Sequence, residues 1–285
     1  MANLLLIITA AIWGFAFVAQ RMGMESLDPF TYNAIRFALG ALFVWLVAAR
    51  KEAKGARFPW LIGVVLFIAA SLQQVGIMYT SAGSAGFITG LYVVMVPILG
   101  VFRRQKLKLW IVLAVLIATL GMYYINNPDS AEVSFGNLLV LIGAMFFALH
   151  VQLVDYYTLK YKTSTLAYSQ FALCSLLSLV FAFIWLGFVD STNLNIMKMG
   201  YSIGKAILPI LYGGLLSVGV AYTLQIKAQK RAEPGKAAVI LCSEGLFALI
   251  GGYLVLGEHI GIRTVIGALL LLIAMLISIF PQLFD

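Results

Sequence analysis

Residues 83–102 read Gly83-Ser84-Ala85-Gly86-Phe87-Ile88-Thr89-Gly90-Leu91-Tyr92-Val93-Val94-Met95-Val96-Pro97-Ile98-Leu99-Gly100-Val101-Phe102, and Arg103-Arg104-Gln105-Lys106 follow at once. Twenty residues pass without a charge before basic residues stop the run. A helix rises 1.5 Å per residue, so this run covers about 30 Å, the hydrocarbon thickness of a bilayer. The same pattern recurs along the chain. Apolar runs and breakers predict ten helices at about 2–20, 30–49, 59–79, 83–102, 108–126, 135–155, 165–188, 204–225, 237–256 and 262–281. Asp28-Pro29, Pro59, Asn126-Asn127-Pro128-Asp129, Glu233-Pro234-Gly235 and Pro281 punctuate them.

Composition agrees with that reading. Of 285 residues 62% are apolar and 11% charged, whereas a soluble domain carries about a quarter charged residues. So little charge cannot cover the surface of a soluble protein of this size. Ten spans use about 200 residues, which leaves room for short loops and no sizeable soluble domain. The first run lacks a basic segment before it and reads as a retained span, not a cleaved signal peptide. Cys174 and Cys242 sit inside apolar runs and form neither a disulfide framework nor a zinc pattern.

The basic residues test the count independently. The loops after predicted helices 2, 4, 6 and 8 hold Arg50, Lys51, Lys54 and Arg57; Arg103, Arg104, Lys106 and Lys108; Lys160 and Lys162; and Lys227, Lys230, Arg231 and Lys236. The other side has Arg21, Lys198, Lys205 and Arg263, and Arg36 lies within helix 2. Basic loops stay cytoplasmic. The expectation is a multi-pass protein of the cytoplasmic (inner) membrane with both termini cytoplasmic. The net charge of +8 then reflects topology, not a nucleic-acid surface.

The chain also matches itself when slid by 134 residues. Asn3-Leu4-Leu5 falls on Asn137-Leu138-Leu139, Thr31 on Thr165, and Phe37-Ala38-Leu39 on Phe171-Ala172-Leu173. A repeat of five helices is odd, so its second copy enters the membrane inverted. Inverted repeats place a solute site near the midplane and give two access states. The expected halves are 1–128 (helices 1–5) and 129–285 (helices 6–10).

Tyr79-Thr80-Ser81-Ala82-Gly83-Ser84-Ala85-Gly86-Phe87-Ile88-Thr89-Gly90-Leu91-Tyr92 with Pro97 resembles the first repeat of EamA-type transporters of the drug/metabolite transporter superfamily. Trp13-Gly14, Pro29 and Arg36-Phe37 resemble its first two helices. Tyr212-Gly213-Gly214 through Tyr222, then Leu256-Gly257-Glu258, resembles the second repeat. The resemblance covers nearly the whole chain. It implies an all-α membrane protein with ten transmembrane helices in two inverted five-helix repeats, moving small organic metabolites such as amino acids or drugs. The chain departs from the pattern at Glu244-Gly245, where relatives often carry Glu-Pro. It departs again at Arg103-Arg104-Gln105-Lys106, where a Leu-Gly-Glu ending is missing.

Ionisable groups at membrane depth cost several kcal/mol unless paired or hydrated, which makes the few present the first functional candidates. Glu244 falls about 10 Å into helix 9 from its cytoplasmic end. It is a candidate proton carrier or partner for a cationic solute group; a structural hydrogen bond between helices is the alternative. Arg36, about 9 Å into helix 2 from the other side, is either a carboxylate partner or a packing residue whose charge snorkels. His150 on helix 6 is either a titrating group or one end of an interhelical hydrogen bond. Trp13, Gln74, Tyr92, Tyr222 and Ser243, with Gln73, Thr89 and Gln225, are the expected aromatic walls and polar points of a solute pocket. Gly83, Gly86 and Gly90, and Gly245, Ala248 and Gly252, form small-residue stripes on helices 4 and 9, suited to close packing or sliding.

Several chemistries are absent from the sequence. Gly200-Tyr201-Ser202-Ile203-Gly204-Lys205-Ala206 is one residue short of a P-loop and lacks the following Ser/Thr. The GxSxG spacing at 200–204 stands alone, with no HExxH and no Ser/His/Asp set beside it. Two His and no acidic cluster predict no metal site, and no cofactor is expected. The expectation is a secondary active transporter, an exporter driven by protons, with a small-molecule substrate and the lipid bilayer as its partners. A proton-independent facilitator, a non-transporting scaffold and an intramembrane enzyme are the alternatives. Oligomeric state is open.

Overall fold

The computed structural model describes residues 1–48, 59–105, 108–125, 131–188 and 196–279. Arg50, Lys51, Lys54, Arg57, Lys106, the Asn126–Asp129 breaker and Pro281 lie outside the described residues. The rest is helical, with no strand among the described residues. In chain order the helices are α1 (Ala2–Gly23), α2 (Pro29–Val47), α3 (Trp60–Ile77), α4 (Ala82–Gly90), α5 (Tyr92–Phe102), α6 (Leu109–Ile125) and α7 (Ala131–Thr158). There follow α8 (Thr163–Phe188), α9 (Ile196–Lys205), α10 (Ile207–Leu211), α11 (Thr223–Gln229), α12 (Pro234–Leu241), α13 (Glu244–Gly251) and α14 (Ile262–Ile279). Wider π-helical turns run through Tyr212–Tyr222 and Gly252–Leu256.

Local chemistry sets the starts. Asp28 caps α2, its carboxylate accepting from Phe30 N at 3.0 Å and Thr31 N at 2.9 Å, with Pro29 at the first helical position. Ser81 caps α4 through Ser84 N at 3.0 Å. Among the described residues eight runs are long and apolar enough to cross a membrane: α1, α2, α3, α4–α5, residues 135–158 of α7, residues 163–187 of α8, α10–α11 and α12 through Leu256. In α6 and α14 the described apolar stretches, Leu109–Gly121 and Ile262–Ile277, are shorter.

Two predicted helices differ from a single rod. The run 82–102 breaks at Leu91, and 234–256 breaks at Cys242-Ser243. At both places the backbone tightens to bonds three residues apart, Leu91 N to Ile88 O and Ser243 N to Ile240 O. Pro97 stands inside α5 without ending it. The second run also begins at Pro234, three residues earlier than predicted, because Glu233-Pro234 starts a helix rather than separating two.

The bundle is inside out compared with a soluble protein. Leu116, Phe183, Leu254 and Leu276 are each at least 60% exposed, while Gln74, Gln170 and Asn33 are fully buried. An apolar coat, with polar side chains held inside among the apolar core, fits a surrounding of lipid. In the bundle α2 packs on α8, α3 on α7, α6 on α14, and α4 on α13. α1 lies against α13 and the π turns, α2 against the π turns, and α3 against α8.

Helix ends gather into two faces. On one, Arg103 pairs with Asp155 at 3.0 Å and Lys108 with Glu233 at 2.5 Å. Met1, Ala48, Lys162, Lys227 and Lys230 line one hollow there. On the other, Arg21 donates to Ile77 O and Met78 O, Tyr32 Oη donates to Pro209 O, and Thr80 donates to Asn137. The Glu258 carboxylate also lies there, accepting from Ala82 N at 2.9 Å and Gly83 N at 3.1 Å, so it covers the α4 N-terminus. Gly257, at φ +67°, makes the left-handed turn that brings Glu258 back over Gly252.

Candidate functional site

One stripe of α1 carries Trp13, Ala16, Phe17 and Gln20, spaced i, i+3, i+4 and i+7 and therefore on one face. It lines a cavity together with Arg36 of α2, Gln73 of α3, Thr89 of α4, Tyr92, Phe147, Ser217, Tyr222 and Glu244. Trp13 is the twelfth residue of its 22-residue run, Tyr92 the eleventh of 21 and Glu244 the eleventh of 23, so these walls stand at the middle of their spans. With its run starting at Pro234, Glu244 is about 15 Å in, deeper than the sequence spacing predicts.

The helix breaks aim the two central residues. Tyr92 is the first residue of α5 and Glu244 the first of α13, each just past a tightened turn. Glu244 is 3% exposed and its Oε1 has no partner. The Tyr92 hydroxyl lies beside that carboxyl and has no other partner. Gln20 Oε1 is also unpartnered. Arg36 is 3% exposed; its Nε donates to Asn33 Oδ1 at 2.8 Å, and its guanidinium lies 4.9 Å from the Phe37 ring centre. Among the described residues no acid pairs with it. A guanidinium and a carboxyl group thus face one buried space without an ion pair between them.

Aromatic rings close the side opposite. Trp13 and Tyr222 ring centres are 4.6 Å apart, and Phe171 and Phe37 back Tyr222 at 5.8 and 6.4 Å. The Trp13 indole donates to Ser217 O at 3.2 Å, Thr9 to Ala221 O at 3.3 Å, and Tyr212 to Ile12 O at 3.0 Å. These three bonds tie α1 to the π turns. Gln73 donates to Thr89 at 2.9 Å and fixes that wall.

The cavity is only about 30 Å³. That holds one or two waters, each needing two to four polar partners, and no organic solute. The few hundred Å³ expected of an open pocket is not present; Phe147, Phe17 and the aromatic pair fill it.

Of the residues singled out from sequence, Trp13, Arg36, Gln73, Thr89, Tyr92, Tyr222 and Glu244 line this space. Three lie behind it. Gln74 donates to Gln20 O at 3.4 Å and supports the α1 stripe. His150 shares a 2.8 Å hydrogen bond with Gln170 Oε1 and sets its ring edge-on to Tyr222 at 5.8 Å. Ser243 spends its hydroxyl on Ile240 O at 2.7 Å, back along the run it interrupts. Gln225 lies outside the lining. Gln20 and Ser217 were not singled out; the i+7 spacing from Trp13 was the available signal for the first. The small-residue stripes meet: a Cβ on Gly86 would strike Ala248 Cβ, and one on Gly245 would strike Phe87.

The sequence profile of the EamA-like transporter family matches residues 1–127 and 134–280. An uncharacterized transporter of Archaeoglobus fulgidus is 31% identical over 282 residues, covering 97% of this chain and 85% of its own. The uncharacterized transporter YoaV of Bacillus subtilis is 22% identical, covering 91% and 90%. A protein of known crystal structure superimposes with a TM-score of 0.77 at 14% identity, over 100% of this chain and 99% of its own, which speaks to the fold alone. The family and these relatives are transporters, not enzymes.

Proposed function

This chain belongs to the EamA-like transporter family, and from that premise we propose that it is a secondary active transporter whose midspan cavity carries a small organic solute, such as an amino acid or drug, outward in exchange for protons. The observation that carries the reading is the set of buried, unsatisfied groups facing one space: Glu244 Oε1, Tyr92 Oη and Gln20 Oε1, with the unpaired Arg36 guanidinium. Such groups are costly in a static core. They are useful where a solute or proton supplies the missing partners. Glu244 is the proposed proton carrier, Arg36 the partner for a solute acceptor group, and Trp13 and Tyr222 the apolar walls. Gln74, His150 and Ser243 support these walls from behind.

Two inverted halves of five helices, 1–128 and 129–285, complete the proposal, with α6 and α14 counted as the fifth and tenth spans. Packing supports it. Exchanging the halves carries the α3–α7 contact onto the contact of the π turns with α1. It carries α2 against the π turns onto α8 against α3, and α1 against α12–α13 onto α7 against α4–α5; all are present. The α2–α8, α4–α13 and α6–α14 contacts map onto themselves. The face bearing Arg103, Lys108, Lys160, Lys162 and Lys227–Lys236 is the proposed cytoplasmic face, with both termini on it.

The test is solute uptake into proteoliposomes under an imposed pH gradient. Glu244→Gln should abolish gradient-driven uptake while leaving solute exchange. Gradient-driven uptake that survives Glu244→Gln unchanged removes Glu244 as carrier; uptake indifferent to the gradient in the parent protein favours the proton-independent facilitator.

A further inference from the structure

A second hollow opens on the basic face, between α5, α7, α11 and α12, with a volume of about 540 Å³. The α12 N-terminus forms part of its wall. A helix start leaves its first amides without partners. Here Glu233 occupies the cap position with no side-chain cap bond, Pro234 has no N–H, and Ala237 N bonds Glu233 O at 2.9 Å. The amides of Gly235 and Lys236 remain, and both residues line the hollow. Lys236 itself is 5% exposed, and its Nζ has no partner. The Gln229 carboxamide, also lining, has an unpartnered Oε1.

Charge in the hollow is one-sided. Its two carboxylates are occupied, Asp155 by Arg103 and Glu233 by Lys108. Among the described residues of the lining, Lys230, Arg231 and Lys236 meet no further acid, and Lys236 shares the field of Glu233 with Lys108. The opposite face shows what such a helix start accepts. There the α4 amides of Ala82 and Gly83 take both oxygens of the Glu258 carboxylate. Gln105 ends the α4–α5 run much as Glu258 follows the α12–α13 run, each side chain lying over a helix glycine, Gly100 and Gly252. Gln105 turns instead to Gln152 and Asp155, so among the described residues no side-chain acceptor takes the α12 position.

We propose that Lys236 and the α12 N-terminus form an oxyanion-binding site in this hollow, taking a phosphate group from solution or from an anionic lipid headgroup. Lys236 Nζ and the first-turn amides supply the donors, and Arg231 and Lys230 the surrounding field. The site is separate from the midspan cavity, and its test reads binding, not transport.

The full chain, purified in a nonionic detergent, is titrated with sodium phosphate by calorimetry, with sodium chloride at matched ionic strength as control. In the second arm, nanodiscs of phosphatidylcholine with or without phosphatidylglycerol are analysed by native mass spectrometry for retained lipid. A lost charge-assisted hydrogen bond weakens binding about tenfold or more. Lys236→Met should therefore lose phosphate binding by that factor, and Lys236→Arg should keep it. Arg231→Met, at an exposed residue whose replacement leaves folding undisturbed, should weaken it several-fold. Phosphatidylglycerol retained by the parent and lost by Lys236→Met, without binding of free phosphate, identifies the lipid headgroup as the source. Absence of both ligands in the parent, or binding equal in the parent and both Met variants, would overturn the site.

Discussion

The Glu258 clamp makes a quantitative prediction about how firmly one end of the bundle is shut. Its carboxylate ties the segment after α13 to the α4 N-terminus by two hydrogen bonds, 2.9 Å to Ala82 N and 3.1 Å to Gly83 N. Removing a side-chain cap from a helix start costs about 0.5–2 kcal/mol. The charge adds to this, and partial solvent exposure subtracts, which leaves about 1–2 kcal/mol for Glu258→Ala. If separation of α4 from the α13 end is the opening step, that energy raises the open fraction about 5–30-fold. The reporter is Ala85→Cys, one turn inside α4 and buried in the parent, in a background of Cys174→Ala and Cys242→Ala. Its labelling rate with a membrane-impermeant maleimide tracks the open fraction when closing outruns labelling. Glu258→Ala should raise the rate by the stated factor, and Glu258→Gln, which keeps one acceptor, should fall between. Equal rates in all three would refute a closing role for the clamp.

Other outcomes follow from single contacts. Gly14→Ala puts a Cβ 2.6 Å from Glu244 O and 2.8 Å from Ala248 N; these are backbone atoms, so α1 and α13 must part, at about 1–3 kcal/mol, read as a lower melting temperature in detergent. Trp13→Phe removes the bond to Ser217 O and should cost about 1 kcal/mol by the same melt, with the ring packing retained. Arg36→Lys keeps the charge but loses the Asn33 bond and the planar stack on Phe37; uptake should show a raised KM with little loss of melting temperature.

The spans were legible because lipid imposes one rule on every turn of a crossing helix, and Gly83–Phe102 obeys it plainly. The breaks were not. Leu91 and Cys242 carry no turn chemistry, while Pro97, the residue that does, leaves its helix running. The tightening comes from neighbours packed against each run, which spacing along one chain does not record. Residue choice within the site shows the same divide. Glu244 and Arg36 stood out because charge is rare at that depth. Gln73 and Gln74 are adjacent and identical, and only helix rotation decides that the first faces the cavity and the second the α1 backbone.

The eleven residues Tyr212–Tyr222 are wound with wider turns than the helix that continues them. Every wide turn stores one more residue than an ordinary turn, so slack is held in the span without an unpaired stretch of backbone. Releasing one residue of that slack turns everything beyond it by about 100°. Tyr222 sits at the end of the stretch, against the Trp13 ring. A ratchet of this kind can swing an aromatic panel away from Trp13 and carries α11 round with it.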